Sequence, residues 1–148
     1  MTGQPGPRVS FDLWFSRVGD ARPFLRWARP CQAVLGDTNL QLIKCFEAVR
    51  DNPLQVAESL KVLAAGFDAA TDRAGFYYEQ RLNYNLRLPR VDPALFIFLN
   101  RTCWNGLYRV NQKGHFNVPY GNPRTGPAIP DVDQLEAASA ALSLARLR

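Results

Sequence analysis

Arginine, asparagine and histidine alternate with apolar residues between Leu107 and Val118, and this alternation is where the sequence could do chemistry. Tyr108 and Val110 interleave with Arg109 and Asn111; beyond Gln112-Lys113-Gly114, Phe116 and Val118 interleave with His115 and Asn117. A period of two on both sides of a short polar connection predicts a β-hairpin, with Gly114 able to take the positive φ of a tight turn. One face of such a hairpin is apolar and sits on a core. The other carries Arg109, Asn111, His115 and Asn117, whose polar groups suit phosphate oxygens and base edges. Trp104 and Asn105 lie just before it, at its mouth. A second candidate is Asp37, at the end of the short apolar run Ala33-Val34-Leu35-Gly36, followed by Thr38-Asn39. A carboxylate at the end of a parallel strand can accept hydrogen bonds from both hydroxyls of a ribose. The alternative is that Asp37 or Thr38 caps the helix beginning near Leu40.

The elements that must position these residues are mostly helices. Leu42, Ile43, Phe46 and Val49 recur at helical spacing until Asp51-Asn52-Pro53. Asn52-Pro53-Leu54-Gln55 then reads as a cap with Pro at the first helical position. Val56, Ala57, Leu60, Leu63 and Ala64 form the buried stripe, and Gly66 is the expected stop. Phe76, Tyr77, Gln80 and Tyr84 predict a third, more polar helix with aromatics in the core. Asp92-Pro93 opens Ala94–Leu99, apolar all round, as a helix that floors the hairpin. A Pro- and Gly-rich loop follows from Asn122 to Pro130 and contains Arg124. Asp131-Val132-Asp133-Gln134 caps a last helix through Leu135, Ala138 and Leu142, expected to run to Arg148.

Composition sets the bounds. A chain of 148 residues, 47% apolar with three Trp, five Tyr and nine Phe, has room for one folded domain with a modest core. The net charge is +5, and most of the 18 basic residues are Arg. Guanidinium bridges anionic oxygens in a bidentate way, so the excess is compatible with phosphate binding; a genome rich in G and C would produce the same bias. Cys31, Cys45 and Cys103 are far apart with no Cys-x-x-Cys pair, which fits neither a disulfide framework nor a zinc site. The setting expected from this is reduced and cytoplasmic. No stretch has the length of a membrane-spanning helix, and the first residues lack a signal peptide's layout. His115, the single histidine, has no Asp, Ser or Cys motif nearby and is read as a surface residue.

The residues around the hairpin also carry a resemblance. Leu99-Asn100-Arg101, then Trp104-Asn105-Gly106-Leu107-Tyr108-Arg109, then Gly114-His115-Phe116-Asn117-Val118-Pro119-Tyr120-Gly121 resemble adenine-specific DNA methyltransferases of the Dam type, the D12 class. In that family the segment is the end of a helix and the DNA-reading hairpin of the target recognition domain. The resemblance implies that Arg109 contacts a guanine of the target, that Leu107 and Pro119 border the DNA, and that Trp104 wedges into the duplex as the adenine leaves the stack. It implies a phosphate contact for Asn105, and places Asn111, Asn117 and Arg124 on the DNA side. After Gly121 the family continues with an Arg or aromatic residue, where this chain has Asn122-Pro123.

The same resemblance extends over Ala21–Ala28 and about Ala33–Pro130. Phe24-Leu25-Arg26-Trp27-Ala28 is similar to the family's opening, which helps enclose S-adenosylmethionine; here Arg29-Pro30 replaces the Gly-Gly-Lys that follows, so Trp27 loses the neighbours of a cofactor role and reads first as a packing aromatic. Asp37 and Asn39 match the Asp-x-Asn element that holds the methyl donor. Two motifs are absent. No Phe-x-Gly-x-Gly loop precedes Asp37, and the five residues between Trp27 and Ala33 cannot hide it, since a parallel crossover takes about a dozen residues or more. No Asp-Pro-Pro-Tyr occurs; the one Asp-Pro, Asp92-Pro93, continues as Ala94-Leu95.

The expected fold class is therefore mainly α with one β-hairpin: a helical target recognition domain plus a remnant of a Rossmann-like α/β methyltransferase sheet. Residues 1–20 are expected to be a flexible tail, 21–38 the catalytic-domain remnant, 39–130 the recognition domain with its hairpin over 107–118, and 131–148 a C-terminal helix. The implied partner is double-stranded DNA with a GATC-like target, and the implied methyl donor is S-adenosylmethionine, in a bacterial or phage-encoded protein. With the catalytic motifs missing, the chain is expected to read DNA without transferring a methyl group by itself. Half of a split methyltransferase completed by a second polypeptide, and a helical protein-interaction module without nucleic-acid binding, are the alternatives.

Overall fold

The computed structural model describes residues 33–35, 37–124 and 126–148; the expected tail, Trp27 and Cys31 lie outside the described residues. The described chain runs β1 (Ala33–Leu35), α1 (Leu40–Asp51), α2 (Pro53–Ala69), α3 (Arg73–Arg87), α4 (Pro93–Thr102), a 3₁₀ turn (Trp104–Gly106), α5 (Val132–Ser143) and β2 (Ala145–Leu147). It is mainly helical, as the periodicity predicts. Among the described residues no helix is long and apolar enough to cross a membrane.

Local chemistry explains most helix boundaries. Asn39, not Asp37 or Thr38, caps α1: its Oδ1 accepts the N–H groups of Gln41 at 3.1 Å and Leu42 at 3.3 Å. Asp37 stands one turn back and accepts the Asn39 N–H at 2.8 Å. Asp92 caps α4 through the Leu95 N–H at 3.1 Å, with Pro93 supplying the fixed φ of the first turn. Asp131 and Gln134 form a reciprocal capping box on α5. Pro53 starts α2 as expected, but the Asn52 amide bonds Gln55 rather than a helical N–H.

The predicted stop at Gly66 is a correction. Helix α2 continues to Ala69 because Phe67 is fully buried and must stay on the core face. Gly66 serves close packing instead, since a Cβ there would lie 3.0 Å from Phe76 Cζ.

Helix α4 is the centre of the molecule. Every residue from Ala94 to Asn100 is buried, so it can exist only when covered on all sides. Phe98 meets Phe67 of α2 and Phe76 of α3 edge-on, at 5.7 and 6.0 Å between centroids. Phe96 faces Tyr84 of α3 and Tyr108 of the following loop. Leu135, Ala138 and Leu142 of α5 close the core against α1 and α2.

The last helix is shorter than expected. It ends at Ser143, and residues 145–147 extend into a strand that pairs parallel with β1, Ala33 opposite Ala145 and Leu35 opposite Leu147. The pairing supplies backbone partners that one more helical turn would have supplied internally.

Candidate nucleic-acid interface

The segment after α4 turns back on itself as predicted, but without a continuous ladder. Val110 and Phe116 form one isolated antiparallel bridge, and Cys103 and Tyr120 another. Asn111 N–H donates to His115 C=O at 2.9 Å and Asn117 N–H to Arg109 C=O at 3.1 Å. The expected strands over 107–118 are thus reduced to bridges, and α3 holds the outer edge of the return limb. Asn85 accepts from Phe116 N–H at 2.8 Å and donates to Phe116 C=O at 3.0 Å, as a neighbouring peptide would. One turn and two turns earlier, Arg81 Nη1 and the Tyr77 hydroxyl both donate to Val118 C=O, at 2.9 and 2.8 Å. Arg81 also lies over the Tyr78 ring at 4.8 Å.

Side-chain alternation holds on the return limb, where Phe116 and Val118 are buried. On the outgoing limb Tyr108 is half-buried between Phe96 and Phe116. Val110 departs from expectation. It is 39% exposed, because it reaches beyond the edge of the core into an open cleft. At the tip, Asn111 Oδ1 accepts the N–H groups of Lys113 and His115, so this amide shapes the turn, with Gly114 at φ 76°.

The base of the hairpin holds the apolar candidates. Trp104 N–H donates to Pro119 C=O and Gly121 N–H to Thr102 C=O, both at 2.9 Å, which brings Trp104 and Pro119 side by side. Only glycine fits at position 121, where a Cβ would lie 2.4 Å from the Cys103 carbonyl oxygen. Asn105 sits in the left-handed region at φ 52°, a conformation that Asn tolerates better than most residues. The Asn100 amide holds the turn by donating to Gly106 C=O at 2.8 Å. Trp104 is 54% and Leu107 48% exposed, and the two stand together at the base of the hairpin.

Arg109 is exposed and held. Its Nε donates to Asn117 Oδ1 at 2.9 Å and its Nη2 to Asn117 C=O at 3.1 Å. Asn117 therefore orients the guanidinium rather than pointing away on its own. The end-on pair of N–H groups, on Nη1 and Nη2, keeps the fork that matches two acceptors on one partner. Arg124 is exposed in the loop after Asn122 and, unlike the other candidates, is not tied to the hairpin by a hydrogen bond among the described residues.

The second candidate lies on the other side of the hairpin. Asp37, Thr38, Asn39, Leu40, Gln41, Leu42, Phe96, Tyr108 and Val110 line an open cleft of about 580 Å³. Asp37 is exposed, with Oδ1 engaged by the Asn39 N–H. The cleft thus combines a carboxylate at a strand end with an aromatic wall, which suits the sugar and base of a nucleoside.

Sequence reasoning missed Gln41, Tyr77, Arg81 and Asn85. The last three stand four residues apart on α3, a spacing visible in the sequence, but nothing there shows that the facing surface is a backbone edge rather than water. Among the described residues no group of His, Cys, Asp and Glu could hold a metal ion. Burial pushes the Cys103 thiol up to about 11, against backbone N–H groups at Cys103, Leu107 and Gly106 that favour the thiolate. Cys45, fully buried, is pushed up further by the same cause.

Comparison with known proteins gives the class to which this helical body and its buttressed hairpin belong. The chain belongs to the D12 class of N6 adenine-specific DNA methyltransferases, whose family model matches residues 23–146. It is 39% identical to the type II methyltransferase M.MjaIII of Methanocaldococcus jannaschii over 73% of this chain and 39% of that protein. It is 35% identical to the type II methyltransferase M1.LlaDCHI of Lactococcus lactis subsp. cremoris over 82% of this chain and 42% of the relative. With the DNA adenine methylase of Haemophilus influenzae the identity is 37%, over 62% and 32% respectively. The chain spans about two fifths or less of the length of these curated relatives.

Proposed function

We propose that these 148 residues carry the DNA-reading part of an adenine-N6 methyltransferase, with double-stranded DNA as partner. The observation that supports this best is the Arg109–Asn117 pair: an exposed guanidinium fixed along one edge, with its end-on fork available for O6 and N7 of a guanine. Such a bidentate contact discriminates between bases by about 1–3 kcal/mol. Trp104, Leu107 and Pro119 give the hairpin base an exposed apolar edge suited to an unstacked base pair, and Asn105 lies beside them to meet a phosphate. Asn111 shapes the tip, and Arg124 adds positive charge nearby.

In the family, S-adenosylmethionine supplies the methyl group that the adenine amine receives. The residues present fit its nucleoside half. Asp37 offers a carboxylate to the ribose hydroxyls, Asn39 braces the turn that carries it, and Phe96 and Tyr108 wall the cleft. No Phe-x-Gly-x-Gly or Asp-Pro-Pro-Tyr stands in the 148 residues to hold the methionine end or polarise the adenine amine. We accordingly assign DNA recognition to these residues, and methyl transfer to those motifs, which the 148 residues do not contain. The β1–β2 pair favours this division, because parallel strands are stable chiefly when both faces are covered. We read it as the remnant of a Rossmann-like sheet, with residues 39–130 as the recognition domain.

Two assays on the purified chain test the reading. A GATC-containing duplex is expected to bind, and Arg109→Ala to weaken that binding about 5–150-fold while a scrambled duplex loses less. Labelled methyl from S-adenosylmethionine is expected not to reach adenine. Equal affinity of wild type and Arg109→Ala for the GATC duplex would overturn the recognition role and leave a protein-interaction module. Label on adenine would overturn the division of labour.

A further inference from the structure

We propose that Gln41 is a positioning residue: its side-chain oxygen fixes the outgoing limb of the hairpin, and with it Arg109, to the Asp37–Asn39 turn. The consequence for DNA rests on the recognition reading above; the mechanical role does not.

Gln41 lies in the first turn of α1, partly buried. Its Oε1 accepts the Tyr84 hydroxyl at 2.7 Å and the Tyr108 hydroxyl at 2.9 Å, from residues 43 and 67 positions away. A carbonyl oxygen has two lone pairs, so the two tyrosines saturate it. Burial raises both hydroxyls above the usual tyrosine range, which keeps them protonated donors. The Gln41 N–H is itself held by Asn39 Oδ1, and the Asn39 N–H by Asp37.

A continuous run of hydrogen bonds therefore leads from the strand-end carboxylate to the residue beside Arg109. The return limb of the hairpin is held separately, by Tyr77, Arg81 and Asn85 of α3. Among these anchors Gln41 is the one that ties the outgoing limb to the Asp37 side. Shortening it by one methylene would withdraw the oxygen, and leucine would set two hydroxyls against hydrocarbon.

The test is amide hydrogen exchange on the 148-residue chain. Asn111 and Asn117 donate across the hairpin, so they report its opening. With Gln41→Leu these two amides are expected to exchange about tenfold faster, while Leu60 in α2 and Ala138 in α5 change much less. Gln41→Glu, which keeps the acceptor, is expected to restore protection. Tyr108→Phe should loosen the hairpin by itself, and should add little to Gln41→Leu. Should Gln41→Leu not fold, Tyr108→Phe alone carries the comparison, since Tyr84 keeps its bond there.

Unchanged exchange at Asn111 and Asn117, or equal acceleration throughout the chain, overturns the proposal. In parallel, Gln41→Leu is expected to narrow the affinity gap between GATC and scrambled duplexes. If the wild-type chain shows no such gap, the recognition reading falls while the exchange data still decide the role of Gln41.

Discussion

Replacing Asn85 by leucine tests whether α3 substitutes for a strand. Leucine keeps the branched outline of asparagine with bulkier methyl ends, so the change deletes two hydrogen bonds without opening a cavity. Each bond contributes about 1 kcal/mol net, and leaving the partly buried Phe116 N–H and C=O unpaired costs about 1–3 kcal/mol more. The expected loss is roughly 3–5 kcal/mol, which for a chain of this size lowers Tm by about 6–20 °C. Urea unfolding followed by circular dichroism is the assay, with the slope against urea expected to stay constant. Asn85→Asp keeps an acceptor for the Phe116 N–H but sets a carboxylate against the Phe116 C=O, so it should lie near the leucine variant. Glu79→Ala, on the exposed side of the same helix, should stay within about 0.5 kcal/mol of wild type. If Asn85→Leu also falls in that narrow range, or Asn85→Asp matches wild type, the two-bond reading is refuted.

Other substitutions probe the base of the hairpin. Gly121→Ala forces a Cβ onto the Cys103 carbonyl and should cost about 1–3 kcal/mol of stability; an unchanged urea midpoint would show that the close approach is unimportant. Alkaline pH should destabilise the fold through Cys103. Its folded value, raised to about 11 from an ordinary 9.0, means that the folded chain holds this proton more tightly than the unfolded chain. The stability it contributes is whole below pH 9.0 and is lost as pH rises toward about 11. Cys103→Ala should flatten the fall of the urea midpoint across that window, and an unaltered slope would count against this assignment.

How far the sequence could be read depended on whether its signals were local. Asp92-Pro93 and Asp131–Gln134 announce their helices because a cap acts within four residues. The apolar run from Ala94 to Leu99 foretells a covered helix, since no other placement hides it. The hairpin's turn was visible in its alternation and Gly114. The anchors on its outer edge were not, because Asn85, Arg81 and Tyr77 look in sequence like any polar and aromatic residues on a helix. Gly66 reads as a stop unless one knows that Phe76 leans against it. Strand β2 was read as helix because its partner lies more than 100 residues upstream, beyond any local period. At the site, the resemblance singles out Arg109, but not the Asn117 side chain and carbonyl that hold its guanidinium. Gln41 gave no signal, since two tyrosine hydroxyls converge on it only after three elements have packed.

The parallel pairing of residues 33–35 with 145–147 has a topological consequence. The helical body is entered and left through neighbouring strands that run the same way, so its whole length is spliced into one crossover. A unit joined in this manner behaves as a cassette: exchanging it would disturb the strands that carry it only at two adjacent seams. Chimeras cut at Asp37 and Leu144 would exploit that geometry, moving the helical body between relatives through a pair of short peptide junctions.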